Sequence, residues 1–269
     1  DELANHFGHI PRNSMGSDAA DINNDGHLDL LVLDMLPPEN HRMKMLKGPD
    51  PYDKFHLIAR GGGHHQVMKN AFQLNRGDGT FQEIASLTNM SHTDWSWSPL
   101  LADFDNDGLK DIFITNGVYK DYNNQDFRIA LREKNAQGIS MTLQEVLDMM
   151  PSQKLDNYIF KNIDGITFEK KIKEWGLEDP NFSNGAAYAD FDNDGDLDLI
   201  VNNVNDPIGL YQNNANNNYL QVYLKGPENN LLGIGTSVFV KQKDKTQFQK
   251  LYLARGFQSS VPDILNFGL

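Results

Sequence analysis

Cysteine is absent from the 269-residue chain, which rules out disulfides and thiolate metal sites and leaves the redox compartment unmarked. Basic charge is scarce. Against 37 Asp and Glu stand 24 Lys and Arg, and a formal net charge of −13 argues against nucleic acid or an anionic membrane as the main partner. No stretch approaches the roughly 18 apolar residues that cross a bilayer. The opening "DELANHFGHIPRNSMGSDAADIN" has neither the charged start nor the apolar stretch of a signal peptide, and no initiating Met. Together with the abrupt end "LNFGL", this predicts a mature chain or an excised piece of a longer one. What remains is ample for a folded core, since 39% of the residues are apolar and 10% aromatic.

The chain repeats itself. "DINNDGHLDLLVLD" begins at Asp21, "DFDNDGLKDIFITN" at Asp103 and "DFDNDGDLDLIVNN" at Asp190, each preceded by small residues and running into an apolar strand. A second pattern, "FQLNRGDGTFQEI" at 72–84 and "YIFKNIDGITFEKK" at 158–171, reads as strand, Gly-containing turn and strand. Joined, the two patterns describe a four-stranded antiparallel sheet, the blade of a β-propeller. Blades need about 40–50 residues, so the longer intervals require insertions. Residues 37–60, broken at Gly48 and Pro49, and residues 124–150, with Leu143, Val146, Leu147 and Met150 at helical intervals, read as helices decorating the β scaffold.

Within each loop, oxygen-bearing residues stand at positions 1, 3, 5 and 9: Asp21, Asn23, Asp25 and Asp29; Asp103, Asp105, Asp107 and Asp111; Asp190, Asp192, Asp194 and Asp198. Gly26, Gly108 and Gly195 at position 6 permit the sharp turn, and His27, Leu109 and Asp196 at position 7 would supply backbone carbonyls. Alternating oxygens that curl about one point make a cage for a hard cation, with a ligand count favouring Ca²⁺ over Mg²⁺. An EF-hand shares the opening letters, yet it needs a Glu at position 12, where Val32, Ile114 and Val201 stand. A solvated Asp-Asn-Gly turn would account for a single copy; three copies with the same alternation favour the cage. Shared catalysis is disfavoured, because nearly identical loops on three blades cannot all face one substrate.

These residues resemble the FG-GAP/VCBS repeat propellers joined to an ASPIC/UnbV domain, of the cartilage acidic protein kind. The matching stretches are "SMGSDAADINNDG" (14–26), "LNRGDGTFQEI" (74–84), "TDWSWSPLLADFDNDGLKDIFITNG" (93–117) and "NYIFKN" (157–162). "NNYLQVYLKGPENNLLGIGTSVFV" and "ARGFQSSVPDILNFGL" resemble the ASPIC/UnbV segment. The resemblance implies a mainly β fold: a partial, three-blade β-propeller over 1–215 with helical insertions, then a small, truncated β domain over 216–269. It implies Ca²⁺ in about three integrin-like loops, with Asn23 weakening the first. It implies secretion or display on a cell surface, the bacterial outer membrane among them, and protein or glycan partners, within a larger envelope complex. Because the family closes a ring of about seven blades, the chain is expected to be the C-terminal part of a longer protein.

The favoured function is a calcium-stabilised binding module and not an enzyme. The competing class is a polysaccharide lyase or hydrolase, for which Asp121 and Asp126 are carboxylates outside the loops whose spacing nominates no pair. Other features have plain readings. Arg76-Gly77-Asp78 belongs to a hairpin turn, Trp95 and Trp97 pack the blade, and His64 and His65 have no partner spaced for zinc. "NNANNN" at 213–218 reads as the junction between the two regions.

Overall fold

In a computed structural model, which describes residues 2–47, 52–243 and 245–269, the chain is mainly β, with several sheets, none of them closed. The first sheet is an antiparallel meander of Ser17–Ala20, Asp29–Val32, Ala71–Asn75 and Phe81–Glu83. The second repeats that order with Asp94–Ala102, Asp111–Asn116, Tyr158–Asn162 and Phe168–Lys170, and adds Met35–Leu36 at its edge. A third sheet has three strands, Ser183–Ala189, Asp198–Asn203 and Gly209–Tyr211. Its last strand is too short to have stood out in the sequence.

Each acidic loop joins the first two strands of its sheet. Val32, Ile114 and Val201 at position 12 all lie in strands, so the EF-hand geometry is absent.

Alternation along the strands explains how the sheets stack. On the second sheet, Leu101, Ile112, Ile114 and Phe160 join a core with Ile22, Leu31 and Phe72 of the first. The residues between them, Leu100, Phe113 and Ile159, point the other way and join Leu197, Leu199 and Val201 of the third. The strand Asp111–Asn116 is consequently buried at every position, which is why its centre, Ile112, Phe113 and Ile114, is apolar without alternation.

Both helical insertions interrupt a sheet at the same place, between its second and third strands. The first holds helices Asn40–Lys47 and Tyr52–Arg60; Gly48 and Pro49, the break expected between them, lie outside the described residues. The second holds Gln125–Ala136, capped by Asn124, and Leu143–Met149, opened by a Thr142/Glu145 capping box. Arg42 clasps the insertions together, with its Nε 2.8 Å from Asp94 and its Nη1 2.9 Å from Asp121. Asp121 is thus a buried partner of a guanidinium, while Asp126 lies exposed in the first turn of its helix.

Beyond the third sheet, Tyr219–Tyr223 pairs with Ile264–Gly268, and Ser237–Gln242 pairs with Lys245–Lys250, around a small core of Leu251, Leu265 and Phe267. This C-terminal segment packs on the sheets: Phe257 lies 4.8 Å from the Trp97 ring, and Ser17 and Gly256 exchange backbone hydrogen bonds. Trp95 instead meets Tyr122, with ring centroids 5.5 Å apart. No helix among the described residues is long and apolar enough to cross a membrane.

Candidate metal centre

The three acidic loops share one hydrogen-bond plan. The position-1 carboxylate accepts from the backbone N–H groups of positions 5 and 6: Asp21 from Asp25 (3.1 Å) and Gly26 (2.8 Å), Asp103 from Asp107 (3.0 Å) and Gly108 (2.9 Å), Asp190 from Asp194 (3.1 Å) and Gly195 (3.0 Å). The position-5 carboxylate then accepts from position 7, in Asp25–His27, Asp107–Leu109 and Asp194–Asp196. Such tight winding needs left-handed backbone twice. Asn24, Asn106 and Asn193 supply it at position 4 (φ 58°, 54° and 61°), and the position-6 glycines supply it again.

Position 9 does something the spacing did not reveal. One oxygen of Asp29, Asp111 and Asp198 accepts the N–H of position 2 (Ile22, Phe104, Phe191), and the other accepts the N–H of Asn75, Asn162 or Asn213 at the end of the third strand. These asparagines in turn donate through Nδ2 to the carbonyls of Leu28, Lys110 and Leu197. Asn162 and Asn213 also reach back to the preceding loop, to Ile22 O and Phe104 O. The sequence signal is a recurring Asn at a variable distance from its Asp.

The loops also contact one another. Asn24 donates to Gly108 O (2.9 Å), and Asn106 donates to Gly195 O (3.2 Å). The position-4 side chains of the first two loops therefore each prop the turn of the next loop, joining the three into one line.

Their capacity for a cation differs. Asp103, Asp105 and Asp111 bring ligand oxygens within 4.8 Å of one another, as do Asp190, Asp192 and Asp194. The first loop forms no such three-carboxylate cluster, and the Asn23 amide donates to Asp25 at 3.0 Å. Asp105 Oδ1 and Asp196 Oδ1 are buried oxygens without a hydrogen-bond partner, so the donor set in the second and third loops fits a hard cation. Lys161 complicates the second loop by placing its ammonium on Asp105 and, at 2.9 Å, on Asp107. Burial opposes that charge, yet the two carboxylates outweigh it and raise the Lys161 pKa. At the matching place on the third loop, Gln212 offers a neutral amide to Asp192 at 2.6 Å.

The C-terminal segment covers the second and third loops. Gly268 N donates to Asp103 (3.1 Å), Asn266 Nδ2 to Asn106 (3.1 Å) and Gln221 Nε2 to Asp190 (2.7 Å).

Crowded carboxylates in a dry setting resist ionisation. Burial, and then repulsion from Asp25 and Asp21, raises Asp29 to about 7; burial likewise takes Asp196 to about 7 and moves Asp111 well above the ordinary carboxylate range. Between the ordinary value and about 7, the folded chain holds protons that the unfolded chain has released. The contribution of these groups to stability is therefore largest at low pH and falls as pH rises through that window. In chelator the melting temperature should be lower at about pH 8 than at about pH 5, and added Ca²⁺ should shrink the difference. A calorimetric melt that is flat between those pH values in chelator would count against raised loop carboxyls.

The Arg76–Asp78 tripeptide lies in the turn between Ala71–Asn75 and Phe81–Glu83, where Asp78 accepts from Thr80 N at 2.9 Å and Gly77 and Gly79 have positive φ. His64 and His65 join no metal-competent cluster among the described residues.

Comparison with known families places an FG-GAP-like repeat at residues 57–114, a stretch that ends inside the second sheet and contains the whole second loop. Residues 226–269 match the ASPIC and UnbV family. A search of curated proteins found no match.

Proposed function

We propose that this chain, an FG-GAP-like repeat region joined to a C-terminal ASPIC and UnbV domain, is a calcium-stabilised binding module of propeller architecture that works outside the cell or on its surface. The observation that carries this reading is the identical winding of the three loops, two of which gather carboxylates with an unpaired buried oxygen beside them. Calcium has a structural role in this reading. Its ligands would come from Asp103, Asp105, Asp107 and Asp111 in the second loop and from Asp190, Asp192, Asp194 and Asp196 in the third. The first loop, with Asn23, would be the weakest. A divalent ion would supply the positive charge that clustered carboxylates need, most of all in the second loop, where Asp103 and Asp111 are buried, and the loops would then hold the sheets and the C-terminal segment in register.

Binding, and not catalysis, is the proposed activity, with a protein or glycan as partner at an envelope surface. Asp121, one of two carboxylates outside the loops considered for glycan cleavage, is paired with Arg42. Extracellular calcium modules bind with Kd of about 10⁻⁴–10⁻³ M. At roughly ten times Kd, each occupied site adds about 1.4 kcal/mol. Removing calcium should lower the melting temperature, and Asp194→Ala should lose part of that calcium-dependent shift. Isothermal titration of the chelated protein with Ca²⁺ reads the stoichiometry directly; no heat of binding and an unchanged melt would overturn the proposal.

A further inference from the structure

Helix Tyr52–Arg60 is amphipathic, yet none of its residues is buried. Tyr52, Phe55 and Ile58 recur every three residues along one stripe and remain 71%, 36% and 41% exposed. They do not face open solvent on a flat surface. With Leu36, Val67 and Met68 they wall a pocket of about 480 Å³, within the roughly 300–1,000 Å³ typical of small-molecule sites.

The charge around this pocket runs against that of the whole chain. Among the described residues, every titratable side chain in its wall other than Tyr52 is basic or a histidine and none is Asp or Glu, although the chain carries a net charge of −13. Glu83 neutralises Lys69 at 2.6 Å. Arg12 and Lys54, both exposed, have no ion-pair partner among the described residues. His64 Nε2 is buried in the wall without any hydrogen-bond partner. An unpaired buried nitrogen in the same wall as two cations that have no ion-pair partner among the described residues is a place for an anionic acceptor.

We propose that this pocket binds a small amphipathic carboxylate, with its apolar body between the Tyr52–Arg60 helix and strand Gln66–Val67 and its carboxylate toward Arg12, Lys54 and His64. Leu36, Ile58, Val67 and Met68, with the rings of Tyr52 and Phe55, give an apolar wall that fits a hydrocarbon body better than a sugar, whose many hydroxyls call for carboxylate acceptors that the described lining lacks. The concave shape suits a single molecule better than a membrane surface. The pocket shares no lining residue with the acidic loops, so its ligand should bind with or without calcium.

Decanoate and decanol, titrated calorimetrically into the chelated and the calcium-loaded protein, test this. Decanoate should bind saturably, and decanol about tenfold or more weakly, as loss of a charge-assisted hydrogen bond dictates. The double variant Arg12→Glu/Lys54→Glu should weaken decanoate about tenfold or more, with the melting temperature unchanged because both side chains are exposed. His64→Phe should weaken decanoate more than decanol. Equal affinity for decanoate and decanol, full decanoate affinity in the double variant, or binding of a uronic-acid oligosaccharide with none of decanoate would each overturn the proposal.

Discussion

Asp111→Ala is expected to cost about 2–6 kcal/mol, a large share of the roughly 5–15 kcal/mol that holds a domain folded. The residue is fully buried, and its two oxygens accept the backbone N–H groups of Phe104 at 3.0 Å and Asn162 at 2.8 Å. Alanine would leave both donors buried and unpaired, each at about 1–3 kcal/mol. One partner is in the same loop and the other is 51 residues away at the end of the third strand, so the loss would unfasten the loop from the sheet. The effect should be present in chelator, because these two backbone donors need their acceptors whether or not a metal is bound. Asp107→Ala provides the contrast. Its carboxylate is half-exposed, and one of its oxygens already meets Lys161. It should lower stability less in chelator while removing part of the calcium-dependent gain. Urea titrations of both variants, with and without Ca²⁺, separate the roles through the midpoint at constant m. If Asp111→Ala were no more harmful than Asp107→Ala in chelator, the clamp would be refuted.

That clamp marks the limit of what the sequence displays. Position, spacing and the glycine at position 6 were enough to mark the loops, because every atom that winds them lies within nine consecutive residues. The helices were legible for the same local reason, since apolar residues such as Leu143, Val146, Leu147 and Met150 recur at helical intervals; the caps Asn124 and Thr142 were equally local signals that the spacing argument did not use. The clamp asparagines were hidden because Asn75, Asn162 and Asn213 stand 46, 51 and 15 residues from their aspartates, separated by insertions of unequal length. The difference of the first loop was legible in its one Asn: in the structure that loop gathers no three-carboxylate cluster, and the Asn23 amide pairs with Asp25. Buried charges such as Arg42 gave no warning, since hydropathy marks them as surface residues and only the fold brings Asp94 and Asp121 to them.

Asp18→Ala should destabilise the protein by about 3–5 kcal/mol and release the C-terminal segment first. Asp18 is 3% exposed and Arg255 9%, with Nη1 to Oδ1 at 2.9 Å. The same carboxylate accepts the N–H of Leu101 at 2.8 Å and the hydroxyl of Tyr252 at 3.3 Å. One side chain therefore ties the first sheet to the second and to the C-terminal segment. Burial works to raise its pKa against Arg255, so the ion pair does not stabilise by charge alone; its value lies in leaving no group unpaired. Alanine at 18 strands the guanidinium and the Leu101 N–H together. The double variant Asp18→Ala/Arg255→Met removes the stranded charge and should recover part of the loss, giving a coupling of about 0.5–3 kcal/mol in a double-mutant cycle. Limited proteolysis locates the damage. Cleavage within residues 226–235 should accelerate in Asp18→Ala while the sheets stay protected, because the single variant loosens the segment before it loosens the cores formed by Leu101 and Phe113. Uniform cleavage throughout the chain, or strict additivity in the cycle, would mean that Asp18 and Arg255 are not the link between the two regions.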